Sequence, residues 1–160
     1  METKIRHATK ADRSLMVAYH HALYVDHRQA IVAKDLAPLY AYKNLPTALR
    51  DDVDAILSSP RSVALVAEED GEPVGYITGH IEDDQRRELS RKGVVEDWFV
   101  EVEARKRGVG RALFDALVAA FRERGCVMLE STTWAGNAGA RAAHQALGFH
   151  DIEIKMRRKI

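Results

Sequence analysis

Apolar residues change their spacing several times along the chain, and each change marks an element. Ile5 to His7 reads as a short strand. Thr9-Lys10-Ala11-Asp12 follows, a hydroxyl with an acidic residue three positions on, and predicts a capped helix through about Leu23. From Tyr24 to Ser59 the pattern is helical but irregular, interrupted at Pro38 and Pro46 and closed by Pro60. Two or three short helices are expected there. Ser62 to Glu69 and Pro73 to Glu82 are rich in β-branched and aromatic residues, and the Asp70-Gly71 pair between them is a hairpin signal. Charged residues from Asp83 to Lys92 read as a loop or strand edge, and Val94 to Val102 as another strand.

Beyond two glycines the period becomes helical. Val109, Ala112, Leu113, Ala116, Leu117, Ala120 and Phe121 fall on one face, and Arg124-Gly125 is a fitting stop. Cys126 to Trp134 predicts a strand, Asn137 to Leu147 an Ala-rich helix closed by Gly148. Ile152, Ile154 and Met156 alternate with Asp151, Glu153 and Lys155, which predicts a last strand with one wet face. The expected fold is mixed α/β, one domain over residues 1–160. A central, largely antiparallel twisted sheet of six to seven strands is flanked by helices.

Charge enters as an exclusion. Lys and Arg total 24, as do Asp and Glu, so no global field draws the protein to nucleic acid or anionic lipid. The single cysteine, Cys126, allows no internal disulfide, and METKIRHATK lacks the apolar core of a secretory signal. No apolar run nears the roughly 20 residues that span a bilayer. A cytoplasmic protein with a reduced thiol and no nucleic-acid or membrane partner is expected.

The segment Arg105-Lys106-Arg107-Gly108-Val109-Gly110-Arg111 sits between strand and helix. Unpaired N–H groups at a helix start, reinforced by the helix dipole, bind anions, and glycines let the backbone approach closely. A Walker A loop fails for want of the Lys-Ser/Thr pair, and a dinucleotide fingerprint fails because Leu113 stands where its third glycine belongs. What remains is [RQ]-x-x-G-x-[GA], met by Arg105, Gly108 and Gly110.

In this context DWFVEVEARKRGVGRALFDAL resembles the acyl-CoA-binding segment of the GNAT superfamily of N-acyltransferases. IRHATKADRSL resembles that family's opening strand and helix, VALVAEEDGEPVGYITGHI its second and third strands, and NAGARAAHQALGF its late helix. The likeness is least from Tyr24 to Arg61. It implies that backbone amides of Arg107, Gly108, Val109, Gly110, Arg111 and Ala112 bind the CoA pyrophosphate, helped by Arg105 and Arg107. It implies that the strand edge at Phe99, Val100 and Val102 pairs with the pantetheine arm, and that Asn137 touches the cofactor. Val102 stands where proline is common in the family, and Lys106 where glycine is common.

Acyl transfer from a thioester to an amine needs a neutral amine, a stabilised oxyanion and a protonated leaving thiolate. Glu96 and Asp97, or water, are candidate bases; as strand neighbours they face opposite sides, so only one can enter a given cleft. Glu130 is a weaker candidate. His144 occupies the position where the family often places a tyrosine acid, and its imidazole suits that task. The family suggests the Val100 N–H as oxyanion donor. Direct attack is expected, since Cys126 opens an apolar strand where thiols are usually inert. His20, His21 and His27 complete no metal motif, and no metal is expected. Tyr24, Tyr40 and Tyr42 read as packing residues that can also shape acceptor choice. The expectation is an acetyl-CoA-dependent N-acetyltransferase acting on a primary amine of a small molecule or peptide. A non-catalytic acyl-CoA-binding domain is the alternative, and homodimerisation stays open.

Overall fold

The computed structural model of the chain describes residues 2–160. One five-stranded sheet forms its centre, built from β1 (Thr3–His7), β2 (Ser62–Glu69), β3 (Glu72–Asp83), β4 (Arg91–Val100) and β5 (Met128–Ser131) in that spatial order. The first four strands are antiparallel neighbours, while β5 runs parallel to β4. Asp70 and Gly71 join β2 to β3 with φ of 52° and 84°. This pair of left-handed residues lets a tight turn follow the twist of its strands.

Two helical layers cover the sheet. Helix α3 (Val109–Glu123) presents Leu113, Leu117 and Phe121 to Leu65, Ile77, Ile81 and Val95. On the opposite face α1 (Arg13–Leu23) and α2 (Leu45–Ser58) pack Met16, Tyr19 and Val53 against Val66, Tyr76 and Phe99. Leu65 and Val66, like Tyr76 and Ile77, are sequence neighbours that enter different layers. A sheet buried on both faces gives continuous apolar runs such as SVALVA.

The start of α1 is fixed by charge. Arg6 of β1 grips Asp12 through both guanidinium nitrogens at 2.8 and 2.9 Å and reaches Glu68 of β2 at 2.6 Å. Asp12 also accepts from the Thr9 N–H at 2.7 Å, completing the capping box. A 3₁₀ turn over Lys10–Asp12 leads into α1, which continues as a π-turn over Tyr24–Gln29.

Three expectations change. Pro46 does not interrupt a helix but lies in the first turn of α2, a fourteen-residue helix capped by Asn44. Proline has no N–H to lose there, and its fixed φ suits a helix start. Strand β5 covers only Met128–Ser131. The last strand does not form, so the sheet has five strands rather than six or seven. Alternation makes a strand only where a neighbouring edge supplies bonds. The chain after Phe149 instead leaves the body, with Asp151 bonded to Arg141 at 2.8 Å and Arg157 Nη1 to the Leu39 carbonyl at 2.9 Å. Helix α4 (Ala138–Ala146) precedes this segment and ends at Gly148, φ 91°.

Candidate active site

The sheet is split where β4 and β5 part. They pair from Lys92 with Met128 to Val95 with Ser131, after which β5 ends and β4 runs on alone. Opposite this fork β3 and β4 lose register: Ile77 faces Trp98 but Gly79 faces Val95, so Glu96 and Asp97 together oppose the single Thr78. This is a β-bulge, which bends a strand and re-aims its side chains. Beyond it, the Asp97 N–H bonds Thr78 Oγ1 and the Glu101 N–H bonds the Val74 carbonyl, both toward β3. Alternation then turns the N–H groups of Trp98 and Val100 the other way, into the fork.

The bulge corrects the expectation that only one carboxylate can enter a given cleft. Asp97 accepts a 2.9 Å hydrogen bond from the Tyr76 hydroxyl, and Glu96 Oε1 lies 2.9 Å from His80 Nδ1. Tyr76 and His80 are four apart on β3 and share a face, so both acids reach the α1–α2 side, and both line the same cleft. The extra residue breaks the strict alternation on which the expectation rests.

His20 of α1 completes this cluster, a buried side chain with a carboxylate at each nitrogen. Nε2 lies 3.0 Å from Asp52, and Nδ1 lies 3.1 Å from Asp97 without the alignment of a hydrogen bond. Burial pulls the imidazole pKa down, but Asp97 and Asp52 together outweigh it, and the net shift is upward. Burial raises Glu96, with the His80 charge opposing. Burial also holds the Tyr76 phenol far above its ordinary value, with Asp97 adding to the effect, so Tyr76 stays a donor. The array comprises a buried histidine between two acids, a neutral phenol, and a glutamate held toward its protonated form. It can attract a cation and take up a proton.

On the other side of the fork lies the glycine turn. Gly108 has φ 89° and starts α3, and a Cβ there would meet nothing within 4 Å. The space above it is therefore open to a ligand. The first intrahelical N–H belongs to Ala112, bonded to the Gly108 carbonyl. The N–H groups of Val109, Gly110 and Arg111 precede it and carry the orphan donors of the helix start. The cations divide. Arg107 is committed to the buried Glu69 at 2.5 Å, Arg111 to Asp115 at 2.9 Å, and Arg105 holds the Val100 carbonyl at 2.9 Å. The Phe99 side chain is buried toward α1, and Val102 sits exposed in a 3₁₀ turn past the end of β4. Asn137 caps α4, its Oδ1 accepting from the Ala140 N–H at 3.0 Å.

His144 projects from α4 beside the fork, edge-on to Trp98 and Phe149. Its Nδ1 lies 2.7 Å from the Ala140 carbonyl and its Nε2 lies 2.8 Å from Ser131 Oγ. A carbonyl only accepts, so Nδ1 carries the proton, and in the neutral ring Nε2 accepts from the Ser131 hydroxyl. Ser131, the last residue of β5, had no signal in the sequence, because only the fold brings it to His144. The same holds for His20, Asp52 and Tyr76. Arg28 lies over the rings of Tyr24, Tyr42 and Trp134 at 5.2 to 5.7 Å, at the far end of the same cleft. Cys126 is half-buried just before β5, and burial raises its thiol. Among the described residues no His, Cys, Asp or Glu cluster could hold a metal, and no helix is long and apolar enough to cross a membrane.

Comparison with known proteins gives the family and the fold. Residues 30–149 match the model of the acetyltransferase (GNAT) family. An aminoglycoside N(6')-acetyltransferase type 1 from Stenotrophomonas maltophilia is 34% identical over 107 residues, 66% of this chain and 70% of that protein. The protein of the same name from Klebsiella aerogenes is 32% identical over 97 residues, 60% and 64% of the two chains. In fold, the chain resembles AAC(6')-Iy in complex with a CoA-based bisubstrate analogue, with a TM-score of 0.76, 24% identity, and 100% and 99% of the two chains covered. The BH1408 protein from Bacillus halodurans, as a tetramutant, gives a TM-score of 0.81 at 19% identity over 98% and 99%. The chain thus belongs to the acetyltransferase (GNAT) family and is an N-acetyltransferase.

Proposed function

We propose that the protein transfers the acetyl group of acetyl-CoA to a primary amine of a small polycationic acceptor of the aminoglycoside kind. The observation that carries this reading is the acidic wall of the cleft beside the fork. Asp52, Glu96 and Asp97 line it, with His20 between Asp52 and Asp97 and His80 against Glu96, an arrangement that favours an acceptor bearing several ammonium groups. Relatives named as aminoglycoside N(6')-acetyltransferases support it.

In this reading the pyrophosphate of acetyl-CoA lies on the open N–H groups of Val109, Gly110 and Arg111. The pantetheine arm enters the fork against the free edge of β4. The acceptor ammonium gives its proton to Asp97 or Glu96, directly or through water. The resulting amine attacks the thioester carbonyl carbon, and the Val100 N–H holds the oxyanion. Collapse breaks the C–S bond, and the thiolate takes a proton. Neutral His144 has none to offer toward the cleft, since its one N–H is spent on Ala140. Protonated, it donates from Nε2 to Ser131 Oγ, which frees the serine hydroxyl proton for the thiolate. The acid is then a histidine–serine pair.

The test is thiol release from acetyl-CoA with aminoglycosides, simple monoamines and lysine peptides as acceptors. Saturable release with aminoglycosides, and far weaker release with monoamines, is expected. Turnover only with the peptides would overturn the acceptor assignment.

A further inference from the structure

Arg28 is an arginine held by rings rather than by an acid. Arg6, Arg13, Arg107 and Arg141 each close on a carboxylate. Among the described residues Arg28 closes on none, and its guanidinium makes a single hydrogen bond, from Nη1 to the Tyr42 hydroxyl at 3.3 Å. Its Cζ lies 5.2 Å from the centre of the Tyr24 ring and 5.7 Å from those of Tyr42 and Trp134. Tyr40 extends the enclosure, edge-on to Trp134 at 5.5 Å and tilted against Tyr24 at 6.2 Å.

Three stretches far apart in sequence build this aromatic box. The π-turn carries Tyr24 and Arg28, the chain after the Lys34–Leu39 3₁₀ turn carries Tyr40 and Tyr42, and the loop between β5 and α4 carries Trp134. A π-turn is rare and is found mostly at functional sites. Tyr24, Arg28, Tyr40 and Trp134 line the same cleft as Asp52, Glu96 and Asp97. The negative faces of such rings attract any cation, and an alkylammonium suits them as well as a guanidinium does. Another cation can therefore replace Arg28 without breaking an ion pair. The residue is half-buried, and its long stem can carry the charged head out to water.

We infer that this box is a second ammonium site for the acceptor, and that Arg28 occupies it in the free protein as a stand-in for the ligand. The inference rests on the polycationic acceptor proposed above. One ammonium lies at the acidic wall, while another takes the place of Arg28 among the rings. Arg28 then acts on charge number. A monoamine spends its one charge at the acidic wall and gains nothing from the box. A polyammonium acceptor gains the box only after evicting the arginine, so its apparent affinity is lowered by the fraction of molecules in which Arg28 is seated.

The experiment tests the box and the acceptor separately. Tetramethylammonium chloride is titrated into the wild type, Arg28→Ala and Trp134→Leu, against sodium chloride at equal ionic strength, and NMR follows the indole N–H signals of the two tryptophans. Trp134→Leu identifies the Trp134 signal by its loss. In Arg28→Ala that signal is expected to shift saturably, with affinity at least about fivefold tighter than in the wild type. No saturable shift in Arg28→Ala, or equal affinity in both proteins, overturns the box as a cation site filled by Arg28. Steady-state acetylation of kanamycin and of butylamine is measured next. The KM for kanamycin is expected to fall about fivefold in Arg28→Ala and to rise in Trp134→Leu, with much smaller changes for butylamine. Contacts that were merely structural would not give opposite signs. A KM that rises in both variants, or moves in neither, overturns the assignment. Absence of kanamycin turnover in all three proteins would instead remove the polycationic acceptor, and the tetramethylammonium titration would still decide the box.

Discussion

Substituting Asp12→Asn isolates the charge that anchors α1. The carboxylate is buried, bonded by both arms of Arg6 and by the Thr9 N–H, and its pKa is lowered from 3.8 to about 2, chiefly by Arg6. A group whose folded pKa is depressed stabilises the fold above its unfolded pKa and loses that contribution as pH falls toward the folded value. The gap corresponds to about 2 kcal/mol at neutral pH, declining to about 1 kcal/mol near pH 3, where the wild-type carboxyl is becoming protonated in the unfolded chain. Urea unfolding followed by circular dichroism at about pH 7 and pH 3 should therefore show a variant deficit that shrinks by roughly half on acidification. At neutral pH the same loss lowers Tm by about 4–8 °C for a chain of this size. A deficit equal at both pH values would refute the electrostatic account and leave only packing. Because α1 carries Tyr19 and His20 to the sheet, loss of the anchor should also weaken turnover before the fold melts.

Gly108→Val forces a branched residue into φ 89°, which costs about 1–2 kcal/mol and fills the open space over the helix start. Calorimetry should show CoA affinity falling by more than the stability loss explains, and unchanged affinity would remove the turn from the cofactor site. Asp97→Asn should slow acetyl transfer by about 10²–10⁴-fold, the usual worth of a positioned base. It should also lower the His20 pKa seen by NMR, because burial then faces one carboxylate instead of two; an unmoved His20 contradicts the ion-pair geometry. Ser131→Ala should reduce turnover by at least about tenfold with CoA affinity intact, and both it and His144→Ala should alter the alkaline limb of the pH–rate profile, where an essential acid loses its proton. An unchanged profile would exclude the histidine–serine route.

Much of this architecture was legible because local chemistry and the final fold agree. Thr9 and Asp12 form the capping box that their spacing announces, and Asp70-Gly71 makes the expected turn. The α3 stripe of Val109, Leu113, Leu117 and Phe121 is the buried face. What escaped the sequence depended on partners far along the chain. Proline spacing near residue 46 looks the same whether it breaks a helix or opens one, and the Asn44 side chain decides it. Alternation at Ile152 and Ile154 records a preference for an edge, and the fold places none beside them. Glu96 and Asp97 were found as candidates, but a bulge is a relation between two strands and leaves no periodic trace in either. Ser131 is ordinary until α4 places an imidazole against it.

The bulge at Glu96 and Asp97 also acts as a parity counter for everything after it. With two residues set against Thr78, Trp98 falls toward Phe114 of α3 and Phe99 toward Tyr19 of α1, each ring stacking within its own layer. Deleting one of the two would restore strict alternation from Val95 onward and leave the indole facing α3 and the phenyl ring facing α1, whereas losing the bulge at constant length would exchange them. The Val100 amide would keep facing the fork after the deletion and would turn to β3 only if the bulge were lost at constant length. What the extra residue adds is a second carboxylate on the α1–α2 side, so a chain one residue shorter here would keep the fork and lose one acid of the cleft.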